Sequence, residues 1–209
     1  MNKGYTIGIV VFDGVLTAEV IGPAEVFAIA SKQDWFKGAK VLLIGVDSQP
    51  TIHTEEGIQL GVNATIADEL ELDVLLVPGG NDMSQLLQYE ELNTFIQKQE
   101  EIAQWIGSVC AGAFLLGNAG VLDGKQATTW FGGETSLQTQ FPEIQVIHNK
   151  AVVLDQRRIT ANGGLVSYRA ALVLLGKLSS AEHAKEVYEN LGMGRLGTWA
   201  EIEATIIAA

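Results

Sequence analysis

Apolar and polar positions fall in blocks along the chain, and the length of each block predicts an element. "YTIGIVVF" (Tyr5–Phe12), "KVLLIGV" (Lys40–Val46) and "DVLLVPGG" (Asp73–Gly80) are short, nearly continuous apolar runs bounded by turn residues. That is the pattern of strands buried on both faces. "WIGSV" (Trp105–Val109) is a fourth such run, and Val146–Ala161 reads as a two-stranded ribbon feeding another central strand. Thr51–Ile66 predicts short extended pieces.

Between these runs the apolar spacing becomes helical. Thr17–Ser31 predicts a helix with Thr17 as N-cap and Pro23 inside it, where proline withholds an N–H from the Glu19 carbonyl and can kink the helix. Glu90–Gln104 brings Leu92, Phe95, Ile96 and Ile102 towards one face. Ala111–Gly120 and Leu165–Leu178 are apolar helical segments. Ser179–Gly192 predicts a helix opened by a capping box, Ser179 with Glu182, and stopped by Gly192.

Apolar strands alternating with helices define an α/β fold: a doubly wound, mainly parallel sheet sandwiched by helices. No linker-like stretch interrupts the pattern, and no repeat of about 20–50 residues is present. The expectation is a single domain over residues 1–209.

Composition narrows the partners. Hydrophobic residues make up 47% of the chain, which supplies a large core. The net charge of −12 argues against nucleic acid, whose phosphates require clustered Lys and Arg. The N-terminal apolar run of about eight residues is too short to span a membrane, and no basic amphipathic segment suggests binding to a membrane surface. A single cysteine rules out an internal disulfide. A soluble, cytoplasmic protein acting on a small molecule is expected.

Ligands of such sheets bind beyond the carboxyl ends of the strands. Here those ends follow Phe12, Val77 and Val109. Cys110 stands at the third, flanked by Gly107, Ser108, Ala111, Gly112 and Ala113. Small neighbours permit the sharp strand-to-helix turn of a nucleophile elbow. A helix starting at Ala111 would aim its positive end at the sulfur and favour thiolate. The second end carries "PGGND", where Gly79 and Gly80 allow a ligand close to backbone N–H donors. The first leads to Glu19, an acid beside the apolar face of its helix. Burial next to a thiolate would raise its pKa and keep it protonated.

In combination, "GIVVFDGVLTAEVIGPAEVF", "DVLLVPGG", "SVCAGAFLLGNAGVLDGKQATT" and "ITANGG" resemble the ThiJ/PfpI superfamily, within the flavodoxin-like, class I glutamine amidotransferase-like folds. The branch they look closest to contains isonitrile hydratases and the sensor domains of AraC-type regulators. The resemblance implies that Cys110 is the reactive cysteine and Glu19 the acid that hydrogen-bonds it. It also implies that Gly80 and Ala111 are backbone donors facing substrate, that the protein is a homodimer, and that it uses no metal or organic cofactor.

Departures from the pattern matter too. Family members usually continue Thr-Thr-His-Trp where this chain has Thr128-Thr129-Trp130-Phe131, so an indole replaces an imidazole and Trp130 becomes a candidate pocket residue. His53, His148 and His183 read as structural. Isonitrile hydratases typically carry Asp on the first helix and Thr after the cysteine, against Glu19 and Ala111 here. Arg169 is placed to bind an anionic group or to pair with a surface acid. The expected activity is cysteine-dependent hydration of an isonitrile. The alternatives are glyoxalase-type chemistry on 2-oxoaldehydes, a non-catalytic redox sensor, or a ligand-binding module.

Overall fold

The computed structural model describes residues 4–196. The ends of the expected 1–209 domain lie outside the described residues. The chain runs β1 (Thr6–Val11), α1 (Thr17–Ala30), β2 (Lys40–Gly45), β3 (Thr51–His53), β4 (Gln59–Gly61), β5 (Ala64–Thr65), β6 (Val74–Val77) and α2 (Glu90–Ile102). It continues with β7 (Trp105–Val109), α3 (Gly112–Asn118), β8 (Gln126–Ala127), α4 (Glu134–Gln140), β9 (Gln145–Val146), β10 (Val152–Asp155), β11 (Arg158–Ala161), α5 (Val166–Leu178) and α6 (Ala181–Asn190).

Seven strands form the main sheet in the order β10-β11-β7-β6-β1-β2-β5. Every pairing in it is parallel except β10 with β11, where a tight turn returns the chain antiparallel. The central strands β1, β6 and β7 are buried almost end to end, as their unbroken apolar runs require. Helices α1, α5 and α6 pack on one another, and α2 packs on α3. The fold is therefore α/β with a mainly parallel central sheet, as the block pattern predicts.

Both expected helix caps move. Thr17 is already helical, and the N-cap position is Leu16, which contributes no side-chain cap. The carboxylate of Glu56, in the β3–β4 turn, accepts instead from the Thr17 amide at 3.0 Å and the Thr17 hydroxyl at 2.5 Å. Helix α6 is capped by Ser180 rather than Ser179: the Ser180 hydroxyl oxygen accepts from the His183 amide at 3.2 Å. Ser179 pairs with the His183 imidazole. Helix α1 continues through Pro23 to Ala30. Helix α4 carries no periodic apolar face, only Leu137 among polar residues, and the hydrophobic pattern does not announce it.

Candidate active site

Three neighbouring strands, β1, β6 and β7, end on the same side of the sheet, and the candidate residues gather beyond them. Cys110 follows β7 directly. Its φ of +54° lies in the left-handed region, which costs a non-glycine residue of the order of 1–2 kcal/mol. Two bonds hold that turn. The Cys110 amide donates to the Ala161 carbonyl at 2.9 Å, and the Thr129 hydroxyl donates to the Cys110 carbonyl at 2.7 Å. Asn162 in turn donates to the Thr129 carbonyl, so the residues after β8 and β11 fasten the elbow from its far side.

Glu19 sits behind the sulfur and is 1% exposed. The Gly79 amide donates to its Oε2 at 2.8 Å, and the Gly164 amide donates to Oε1 at 3.2 Å. The Cys110 thiol shares a hydrogen bond with the same carboxyl. Gly163 closes the arrangement. A Cβ there would lie 2.5 Å from Glu19 Oε1 and 3.0 Å from Cys110 Sγ, so only glycine fits without displacing one of them.

The electrostatics differ from the expected lowering of the cysteine. Burial pushes Cys110 up, ionised Glu19 pushes it further, and together they outweigh the stabilising Ala111 amide; the thiol rises to about 12. Glu19 is raised as well, by burial, against the lowering effect of its Gly79 and Gly164 hydrogen bonds. Both groups are thus pushed towards their neutral forms. The pair retains at least one proton at neutral pH, and a charged sulfur requires that proton to lie on Glu19.

The exposed side of the sulfur faces a cavity of about 560 Å³. Gly80, Ala111 and Trp130 line it with Cys110. Gly79 does not: the amide expected to face substrate is engaged by Glu19, and this glycine organises the acid instead. Phe114, which the apolar pattern of its helix did not single out, stacks on Trp130 with ring centroids 5.1 Å apart. Gln140, from the unannounced α4, also reaches the cavity.

Among the described residues no histidine lines this cavity. His53 lies 3.9 Å from exposed Asp13, His148 is in the turn after β9, and His183 stacks on Trp35 at 4.0 Å. Tyr168 turns away from the site and donates to Glu25 at 2.8 Å. Arg169 borders a separate groove between α5 and α6 and makes no ion pair among the described residues. Among the described residues no cluster of His, Cys, Asp or Glu is placed to hold a metal ion, and no helix is long and apolar enough to cross a membrane.

A strained cysteine at the end of a central strand, backed by a buried glutamate and opening on a pocket, defines a cysteine-elbow α/β domain. The chain belongs to the DJ-1/PfpI family, whose model it matches over residues 5–175. It is 34% identical over 182 residues to an isonitrile hydratase of Pseudomonas putida, covering 87% of this chain and 75% of that protein. It is 26% identical over 136 residues to the HTH-type transcriptional regulator GbdR of Pseudomonas aeruginosa, covering 65% of this chain and 35% of the regulator. The crystal structure of a ThiJ/PfpI family protein from Pseudomonas syringae superposes with a TM-score of 0.79 at 26% identity, covering 90% of this chain and 75% of that one.

Proposed function

We propose that the protein is a cysteine-dependent hydratase that converts an isonitrile to an N-substituted formamide. The observation that carries this reading is the hydrogen-bonded pair of Cys110 and buried Glu19 at the base of an open cavity. The likeness to an isonitrile hydratase supports it.

Such a pair can begin as thiol and carboxylate. As Cys110 Sγ bonds to the isonitrile carbon, Glu19 takes the thiol proton and then delivers it to that carbon, leaving a thioimidate. Water adds to the thioimidate carbon and gives one proton to the nitrogen. Collapse breaks the C–S bond, releases the formamide and returns a proton to the pair. The sum is one isonitrile and one water consumed. Glu19 serves as base and then acid, so no imidazole is needed. Ala111 offers its amide but no hydroxyl, which leaves the hydrating water to the polar groups at the cavity mouth.

The test is a panel of para-nitrophenyl isocyanide, methylglyoxal and simple amides, with wild type and Cys110→Ser compared. Formamide production lost in Cys110→Ser is the expected result. Equal activity in both proteins, or none with any isonitrile, overturns the reading.

The absence of an imidazole from the cavity favours a second reading, a non-catalytic redox sensor. Peroxide would oxidise Cys110 to sulfinate, held by protonated Glu19. Selective oxidation seen by mass spectrometry, without turnover of any panel member, would establish it.

A further inference from the structure

We infer that the site selects substrates by an uncharged, flat aromatic group, with Trp130 and Phe114 as the specificity-determining residues. This rests on the hydratase reading and names the body of the molecule whose reactive carbon meets Cys110.

Trp130 and Phe114 are stacked at an interplanar angle of 23°, and Phe141 meets Phe114 edge-on at 6.0 Å. The indole cannot swing away freely, because it lies on Gly133. A Cβ at that position would be 2.1 Å from Trp130 Cε2, so the bare backbone of Gly133 provides the ring's seat. The loop itself is tied down by the Gly132 amide donating to Glu134 at 2.8 Å. The result is a rigid aromatic wall beside the sulfur, and Leu16, Met83 and Leu87 supply further apolar surface. With Phe114 stacked on the indole and Gly133 seated against it, a flat substrate ring meets this wall edge-to-face, a favoured aromatic geometry.

Charge points the same way. Among the described residues, no residue lining the cavity is ionisable apart from Cys110. Two carboxylates stand at the rim: Glu55 accepts from Asn81 at 2.8 Å, and exposed Asp82 follows Asn81. A carboxylate-bearing substrate would meet acids and, among the described residues, no counter-cation in the lining, and an apolar wall does not solvate charge. A volume of about 560 Å³ admits one small molecule and no macromolecule.

The experiment compares benzyl isocyanide, cyclohexyl isocyanide and isocyanoacetate as substrates of wild type, Trp130→Leu and Trp130→Phe. In wild type, kcat/KM is expected to favour benzyl isocyanide over isocyanoacetate by at least about tenfold. The benzyl-over-cyclohexyl preference should fall about twofold to tenfold in Trp130→Leu and be largely kept in Trp130→Phe. Alkylation of Cys110, the sole cysteine, reads the pocket without turnover: iodoacetamide should outpace iodoacetate by a larger factor than it does with free cysteine. Binding of N-benzylformamide against N-formylglycine by calorimetry should show the same order. If no isonitrile turns over, the hydratase reading fails, and alkylation and binding decide the inference alone. Equal handling of neutral and anionic probes overturns it, as does an unchanged benzyl preference in Trp130→Leu.

Discussion

The Gly79 amide donates to Oε2 of Glu19 at 2.8 Å, joining the end of one strand to the side chain of the first helix. Two peptide donors, Gly79 and Gly164, thus hold a buried carboxyl whose remaining partner is a sulfur. The predictions below concern what this carboxyl and its neighbours do.

Glu19→Gln removes a carboxylate while keeping the shape. Ionised Glu19 helps raise Cys110 to about 12. Its removal should move the midpoint of Cys110 alkylation, followed with iodoacetamide against pH, to lower values. An unmoved midpoint would show that the carboxyl is already neutral in wild type. Hydratase turnover should drop by about 10²–10⁴-fold in the same variant, because the proton relay is lost.

Stability should carry a signature of the same group. The Glu19 pKa is raised on folding from 4.5, so between 4.5 and the folded value the native state binds more protons than the unfolded state. Its contribution is fully present below 4.5 and is lost as pH rises through the folded value. Urea midpoints of Glu19→Gln should therefore gain on wild type as pH increases from 4 to 8. Cys110, raised from 9.0 to about 12, adds a second loss confined to alkaline pH, which Cys110→Ala should abolish.

Gly163→Ala should damage both fold and site. The new methyl would press on Glu19 Oε1 and Cys110 Sγ. Overpacking of this kind costs about 1–3 kcal/mol. A chain of this size loses roughly 2–4 °C of melting temperature per kcal/mol. Calorimetry should show that drop, and the Cys110 alkylation rate should change alongside it. A variant as stable and as reactive as wild type would mean that the pair relaxes freely.

Ser180→Ala and Ser179→Ala separate two adjacent hydroxyls. Only Ser180 caps α6. Its loss should cost about 1 kcal/mol, measured by urea denaturation. Ser179→Ala removes a contact with the His183 ring and leaves the cap intact.

The main strands were legible because burial on both faces leaves an unbroken apolar run, which few other structures produce. The meeting of Cys110 with Glu19 was legible because parallel sheets gather their strand ends, and the segments that follow them, on one side. The supports of those residues were not. Thr129 and Gly163 meet Cys110 only through the sheet's long crossovers, and Glu56 caps α1 from 39 residues away. Single-sequence reading also placed Gly79 at the substrate, because its amide's partner lies 60 residues away. Helix α4 escaped notice because side-chain bonds such as Thr139 to the Thr135 carbonyl and Gln138 to the Ile144 carbonyl fasten it, not an apolar stripe.

The fastening of Glu19 to amides at 79 and 164 has a consequence for folding. No contiguous fragment holds the acid, the sulfur and both clamps, since they come from crossovers spread over most of the chain. During refolding from urea, regained alkylation selectivity at Cys110 should trail the recovery of helical circular dichroism and coincide with the final consolidation of the molecule.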